Sequence, residues 1–352
     1  MLQKKDPQLF GLYVHWPYCL SKCPYCDFAS CVNKNIDEDL LLSGYRRDLK
    51  AFSSDRPLTS IFFGGGTPSL MSNSLFSRLM HTIRDYYQPS PDIEISIEAN
   101  PDAIDKEKML FFKEMGVNRL SIGVQSLMPK ELKFLGRRHS VETALACIDE
   151  AKKIFSNINI DLIYARPHQT LKSWQTELFQ ALDLKLPHYS LYQLTIEEGT
   201  VFYHQQQQTV SDNQARKLYT LTDRMMTDAH FIPYEVSNYA KPGYECRHNL
   251  TYWLGQDYIG VGPAAHGRVG LLATENPRTV GAWIKQGTHT ESLTPEQRFI
   301  EKVIMGLRLK TIDFPVDQLK PENVAEAIHR KWITQTNLGI RPTPQGTLML
   351  NQ

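Results

Sequence analysis

The sequence predicts an α/β fold: a partial (β/α)6 barrel, TIM-like but with six units in place of eight, followed by a C-terminal α+β accessory region. Two observations carry this. Six short segments rich in β-branched, aromatic and aliphatic residues alternate with stretches of helical periodicity over about 190 residues, which implies parallel strands joined by right-handed crossovers. Polar or glycine-rich residues follow most of the strand-like segments, as expected where a barrel gathers its site at the strand C-terminal ends. The alternation also fits an open doubly wound sheet; the second observation favours the barrel.

The strand-like segments are Gly11–Trp16, Leu58–Phe63, Ile93–Glu98, Arg119–Val124, Ile158–Tyr164 and His188–Leu194. Between Ile36 and Phe52, Leu41, Tyr45, Leu49 and Phe52 share one helical face, and Leu75, Leu79 and Ile83 do so between Ser74 and Tyr87. Asp105–Met115 ends at Gly116, which suits a left-handed C-cap. Ser140 is placed to cap a helix carrying Leu145, Ile148 and Phe155, with Glu142 in its positive first turn. Thr170 is placed likewise before Leu171, Trp174, Leu178 and Leu182. After Glu198-Gly-Thr200 the pattern changes. A solvated tract, Gln205–Gln208, precedes a helix over Asp212–Ala229, then a strand running into a turn over Pro233–Pro242 and an aromatic, glycine-dense stretch, Cys246–Pro263. Helices near Thr294–Leu309 and Glu322–Trp332 lead to Leu338–Leu350, read as a two-strand, winged-helix-like end. The expected division is 1–200, 201–290 and 291–352.

Composition narrows the function. Lys plus Arg number 39 against 38 Asp plus Glu, with no long like-charge block, so a nucleic-acid partner is not indicated. No apolar run reaches the length of a membrane span, and Met1–Asp6 lack the apolar core of a secretion signal. Six cysteines, three of them clustered, suit a reducing compartment rather than a disulfide framework. Cytoplasm is the expected location.

The cluster, Cys19, Cys23 and Cys26, is spaced C-x3-C-x2-C directly after the first strand. Three thiolates on so short a loop can hold three corners of a four-iron cluster that normally takes four, leaving one iron with an open position. A structural zinc, completed by His15 or Cys31, is the competing reading, but zinc usually draws its four ligands in pairs. Elsewhere, Gly64-Gly65-Gly66 can bring backbone close to a ligand. Glu98 ends the third strand and Gln125 the fourth; Asp161 begins an Asp-Leu-Ile-Tyr segment, and Arg137 supplies a cation on a helical stretch.

These blocks stand in one order: YVHWPYC–KCPYCDF (Tyr13 to Phe28), IFFGGGTPS (Ile61 to Ser69), IEAN (Ile97 to Asn100), SIGVQS (Ser121 to Ser126), LGRRHS (Leu135 to Ser140), DLIY (Asp161 to Tyr164), SLYQLTIEEGT (Ser190 to Thr200) and YEVSNYAKPGYECRHN (Tyr234 to Asn249). On them the chain resembles the radical S-adenosylmethionine (SAM) superfamily. Within it, the chain is similar to the oxygen-independent coproporphyrinogen III oxidases and their relatives, the HemW-type heme chaperones. The resemblance implies a partial barrel with a C-terminal accessory domain and a 4Fe-4S cluster on the three cysteines. It implies a SAM site at Tyr13, Tyr25, Gly64, Gly65, Gly66, Thr67, Glu98, Gln125, Arg137 and Asp161, with an electron donor that reduces the cluster. In that family SAM chelates the open iron through its amino and carboxylate groups, and an electron from the reduced cluster cleaves its sulfonium bond.

Two departures separate the oxidases from the chaperones. The oxidases carry a further cysteine two positions after the third cluster cysteine, where this chain has Phe28, and a longer segment before the loop, where this chain has eighteen residues. Both favour a heme chaperone that delivers heme to respiratory membrane proteins; radical decarboxylation of coproporphyrinogen III is the alternative. His248-Asn-Leu-Thr-Tyr-Trp253 matches the HNxxYW pattern of HemW-type proteins and makes His248, Tyr252 and Trp253 the heme-binding candidates, with Cys246 and His266 as competing ligands. Peripheral membrane association and a homodimer are compatible with this reading. Where the family commonly reads DLIYGLPGQT, this chain has Asp161-Leu-Ile-Tyr-Ala-Arg-Pro-His-Gln-Thr170. Ala165, Arg166 and His168 are therefore expected to make that loop bulkier, constricting the site or adding a charge to it.

Overall fold

Six strands stand where the alternation placed them: β1 (Phe10–Trp16), β2 (Leu58–Gly65), β3 (Pro89–Ala99), β4 (Arg119–Gln125), β5 (Asn157–Tyr164) and β6 (His188–Gln193). They pair in sequence order and all in parallel. The computed structural model describes residues 8–33, 35–310, 319–337, 339–347 and 349–350. The opening Met1–Asp6, and Leu338 and Leu348 of the expected wing, lie outside these.

The returning helices are α1 (Glu38–Ala51), α2 (Asn73–Tyr86), α3 (Lys106–Glu114), α4 (Pro129–Phe134), α5 (Val141–Ile154) and α6 (Leu171–Asp183). Their starts are set locally. Asp37, Ser72, Asp105, Ser140 and Thr170 each accept a backbone N–H of the first turn on the side chain, worth about 1 kcal/mol apiece. Gly116 closes α3 at φ +101, the left-handed position that a Cβ disfavours. The linker to α5 differs from expectation: Arg137 lies in the turn between α4 and α5, not on a helix.

Strand residues alternate between the two faces of the sheet. Leu12, Val14, Ile61, Phe63, Ile97, Leu120, Ile122, Ile160 and Leu162 are buried in the main apolar core with Leu41, Leu75, Phe112, Ile148 and Leu178 of the helices. The other face is polar. It carries Ser60, Glu94, Ser96, Glu98, Arg119, Ser121, Asn159, Asp161, His188 and Ser190, so the barrel interior is built for hydrogen bonding rather than for packing alone.

The sheet runs on past residue 200. After α7 (Val201–His204) and α8 (Asp212–Asp228), the short strands β7 (Ile232–Pro233) and β8 (Asn238–Ala240) extend its β6 edge in antiparallel fashion. The aromatic, glycine-dense stretch then forms a helix, α9 (Arg247–Trp253), and a strand, β9 (Asp257–Val261), which lies parallel to β1 on its free edge. The antiparallel strands β10 (His266–Val269), β11 (Leu272–Glu275) and β12 (His289–Ser292) complete a sheet of twelve strands among the described residues. Asp48 of α1 ties this extension to the barrel. It is 1 % exposed and accepts from Gly262 N (3.2 Å), Asn276 Nδ2 (2.9 Å) and Trp283 Nε1 (2.7 Å).

At the C-terminal end, α10 (Val280–Gln286), α11 (Pro295–Gly306) and α12 (Pro321–His329) precede a hairpin of β13 (Ile333–Thr336) and β14 (Gly339–Pro342), then α13 (Pro344–Thr347). The two-strand wing is present but begins earlier than expected, and Pro344–Thr347 is helical.

Candidate functional site: a cavity between a cysteine loop and a helical floor

The loop after β1 opens a cavity of about 520 Å3 that runs into the barrel. Cys19, Cys23 and Cys26 are free, half-buried and on its lining. Cys26 N donates to Cys23 O (3.1 Å), which curls the loop so that its cysteines face one opening. Two neighbours hold the loop. Phe202 N donates to Pro24 O (2.9 Å), and Gly136, at φ +65, lies where a Cβ would meet Pro24 Cδ at 2.6 Å. Among the described residues no three His, Cys, Asp or Glu side chains gather tightly enough for one metal ion. A single zinc needs thiolates about 2.3 Å from one point, whereas a cluster of four irons takes thiolates spread over its corners. Three free cysteines on the lining of one opening fit the donor set of such a cluster.

Opposite the loop, the glycines are required by contact. A Cβ on Gly65 would stand 2.6 Å from the His15 ring and one on Gly66 2.5 Å from Tyr18 O; Gly65 also sits at φ +106. Backbone thus lines the cavity with no side chain in the way. Arg137 reaches in from its turn. Its Nη2 donates to Asn100 Oδ1 (2.5 Å) and Gly123 O (2.7 Å), and its Nη1 lies 3.3 Å from Cys23 Sγ. Asn100 in turn donates to Thr67 Oγ1 (3.0 Å). Were Cys23 to hold a cluster, a guanidinium donor beside its thiolate would be one of the levers on the cluster's potential.

Glu98 lines the cavity and accepts from Gly65 N (3.2 Å). Burial, with the Asp161 carboxylate as a second cause, pushes its carboxyl up to about 8, so it is largely protonated at neutral pH and can donate as well as accept. Asp161 accepts from Asn159 Nδ2 (2.8 Å), and burial raises its pKa too, while bonds from Ser190 and Asn159 and the charge of Arg119 oppose the rise. Gln125, held at φ +69, and Tyr25 complete the set. Eleven of the expected residues therefore meet on one cavity: Cys19, Cys23, Cys26, Tyr25, Gly65, Gly66, Thr67, Glu98, Gln125, Arg137 and Asp161. Tyr13 and Gly64 stand behind it. The Tyr13 hydroxyl bonds His15 Nδ1 (3.0 Å), and its ring stacks on Phe62. Sequence reasoning missed Arg119, Tyr192 and Asn249 on the lining. Asn249 adjoins His248 in the HNxxYW motif, whereas Arg119 had only its place in a strand.

The other end of the barrel is closed by α9. Glu94 holds the N-terminus of this helix, accepting from Cys246 Sγ (3.4 Å), Arg247 N (3.1 Å) and His248 N (3.2 Å). The His248 ring is 1 % exposed and lies parallel to Phe62, with ring centroids 5.2 Å apart. Its Nδ1 is 2.9 Å from Ser60 Oγ and its Nε2 2.7 Å from the Tyr252 hydroxyl. Burial, helped by the Arg119 charge, lowers its pKa to about 3, so the ring is neutral. Both nitrogens are occupied and neither faces the cavity: in this conformation the structure shows His248 as a floor residue rather than an open ligand. Cys246 is fully buried and its thiol is pushed up to about 12 by burial, whereas His266 is exposed at the start of β10. Trp253 lies under Arg308, whose guanidinium carbon is 5.0 Å from the ring centroid.

Comparison with known proteins accords with this architecture. Residues 13–179 match the family model of the radical SAM superfamily. The heme chaperone HemW of Escherichia coli (strain K12) is 34 % identical over 364 residues, covering 97 % of this chain and 96 % of that one. The heme chaperone HemW of Buchnera aphidicola is 40 % identical over 275 residues, 77 % of this chain and 73 % of its own length. The chain belongs to the HemW family of radical SAM proteins. A solved structure, the radical SAM enzyme coproporphyrinogen III oxidase (HemN) from Escherichia coli, superposes with a TM-score of 0.82 over 98 % of this chain and 88 % of that one. At 23 % identity that likeness shows the fold alone.

Against the HemW family's common loop after β5, the departures resolve differently from expectation. Ala165 and His168 keep the left-handed backbone that glycine would adopt, at φ +61 each. Arg166 neither constricts the cavity nor adds a charge to it. It is 2 % exposed and turned away, pairing with Glu177, with Ser126 Oγ (2.8 Å) and with Glu131 (3.3 Å). Glu177, itself fully buried on α6, also accepts from Leu127 N (2.9 Å). A buried cation with a buried partner is retained where either alone would be costly.

Proposed function

We propose that this chain is a heme chaperone that carries a SAM-liganded 4Fe-4S cluster and delivers heme to respiratory membrane proteins. The observation that carries the reading is end-to-end similarity to the HemW of Escherichia coli, joined to a cavity whose mouth has three free cysteines. Cys19, Cys23 and Cys26 would hold the cluster. Gly65, Gly66, Thr67 and Arg137 would receive the amino-acid end of SAM, and Glu98 and Asp161 its hydroxyl groups. When bound, the cluster supplies the electron that cleaves the sulfonium bond of SAM. Arg137 orients the site, since it bonds Asn100 and Gly123 and stands beside Cys23. The Glu98 carboxyl gives a hydrogen bond without adding charge.

Residues 1–200 would house the cluster and SAM, 201–290 the floor and sheet extension, and 291–352 the contact with partners. Ligation of heme by His248, with Tyr252 and Trp253 against the macrocycle, requires the His248 ring to give up Ser60 Oγ or the hydroxyl of Tyr252 on its own helix; exposed His266 needs no such step. Delivery further implies an electron donor, transient contact at a membrane face and, in one arrangement, a homodimer. The test is anaerobic reconstitution of wild type and His248→Ala, following heme absorbance, 5′-deoxyadenosine and coproporphyrinogen together. Stoichiometric heme uptake without porphyrinogen turnover is expected. Conversion of coproporphyrinogen to protoporphyrinogen would replace this reading with the oxidase, which Phe28, in place of the oxidases' extra cysteine, argues against. Unchanged heme uptake by His248→Ala would move the ligand to Cys246 or His266.

A further inference from the structure

Arg119 opens β4 at the inner end of the cavity, six residues and about 20 Å of strand away from Gln125 at the mouth. It is 2 % exposed and lines the cavity. Among the described residues its guanidinium has no hydrogen bond and no ion pair, and its Nε is buried without a partner. The Glu94 and Asp161 carboxylates lie near enough to stabilise its charge but take no hydrogen bond from it. Glu94 takes three donors from the α9 end, Glu98 takes Gly65 N, and Asp161 takes the Asn159 amide. The neighbouring imidazoles offer no charge either, because burial and the Arg119 charge itself hold His188 and His248 neutral. A guanidinium on the cavity lining whose donors are unused has a planar fork that matches a two-oxygen anion.

We propose that Arg119 is the receptor for a short-chain carboxylate bound at the inner end of the barrel, separate from the amino-acid end of SAM at the mouth. Three features fit such a ligand. The cavity of about 520 Å3 must also accommodate SAM, so the inner guest is small. Glu98, pushed up to about 8, does not repel an anion at neutral pH. Asn249, on the lining and bonded to the Tyr234 hydroxyl (3.3 Å), sets an amide beside the guanidinium chamber from the floor. The assignment stands whether or not the chain carries heme.

The test uses the full chain with its cluster reconstituted and SAM saturating, with calorimetry and thermal unfolding as readouts. The probes are propionate, its neutral isostere propionamide and inorganic phosphate. Propionate is expected to bind and to raise the unfolding midpoint of the wild type, and propionamide to do neither. Arg119→Met should lose the propionate response without a lower midpoint of its own. Arg119→Lys, which keeps the charge but not the fork, should weaken binding by roughly tenfold to a hundredfold, the range for one charge-assisted pair. Equal responses to propionate and propionamide would overturn the proposal as no more than a hydrated guanidinium. Propionate binding that survives in Arg119→Met would place the anion elsewhere, and a response to phosphate but not propionate would remove the carboxylate.

Discussion

The two ends of the barrel are built from the same kinds of residue and put to opposite uses. At the mouth, three cysteine thiols and the Arg137 guanidinium meet within one opening, and two glycines bare the backbone opposite them. At the floor, Cys246, His248 and Tyr252 are saturated by Glu94, by Ser60 and by one another. A cysteine or histidine is therefore not a ligand by virtue of its type. It can serve as a ligand only where its neighbours leave its lone pairs available, as they do for the three cysteines on the cavity lining and do not for the floor residues. Arg119 lies between the two, buried like the floor and unbonded like the mouth.

The contrast can be broken most sharply at the mouth. Replacing any one of Cys19, Cys23 or Cys26 with Ala should abolish stable cluster incorporation, read as iron and acid-labile sulfide after anaerobic reconstitution, while Cys246→Ala keeps both. Iron retained in all three mouth variants would end the distinction. Next in size is Glu94→Ala. It orphans two N–H groups and the thiol of α9 and removes a buried carboxylate, so stability should fall by about 3 kcal/mol or more in urea unfolding. A loss below about 1 kcal/mol would mean that the floor is not latched there.

The Glu98 carboxyl provides a pH test. Its folded pKa, about 8, lies above the ordinary value of 4.5, so the folded chain holds a proton that the unfolded chain has lost in that window. Its contribution is fully present below the unfolded pKa and is lost as pH rises towards 8. Wild type should therefore lose stability relative to Glu98→Gln between pH 5 and 8 and level off above; parallel profiles would place Glu98 in water. A smaller effect is expected of Ser60→Ala, which leaves His248 Nδ1 without its partner and should cost about 1–2 kcal/mol in the same assay. Smallest is Ala165→Gly, which relieves a left-handed alanine and should stabilise by up to about 1 kcal/mol. A destabilised glycine variant would show that the Ala165 methyl packs more than its backbone strains.

Local chemistry made much of this legible. Ser140 and Thr170 cap the helices they precede, Gly116 ends α3 in the left-handed region, and the six strands lie in the stretches that their composition marked. The mouth was legible for the same reason, since cysteines three and four residues apart on one loop can reach a common centre whatever the rest of the chain does. The floor was not. His248 meets a serine 188 residues away and its helix is held by a glutamate 154 residues before it, and no spacing within a motif reveals either partner. Arg166 reads from its position alone as a loop charge, whereas Glu177, on the buried face of α6, neutralises it. The sequence by itself determined which elements form and which loop can carry a cluster, because capping, periodicity and short-range ligand spacing act within a few residues. Only the tertiary structure decided which polar side chains are satisfied and which, like Arg119, are not, because that depends on strand register and on partners brought together from across the chain.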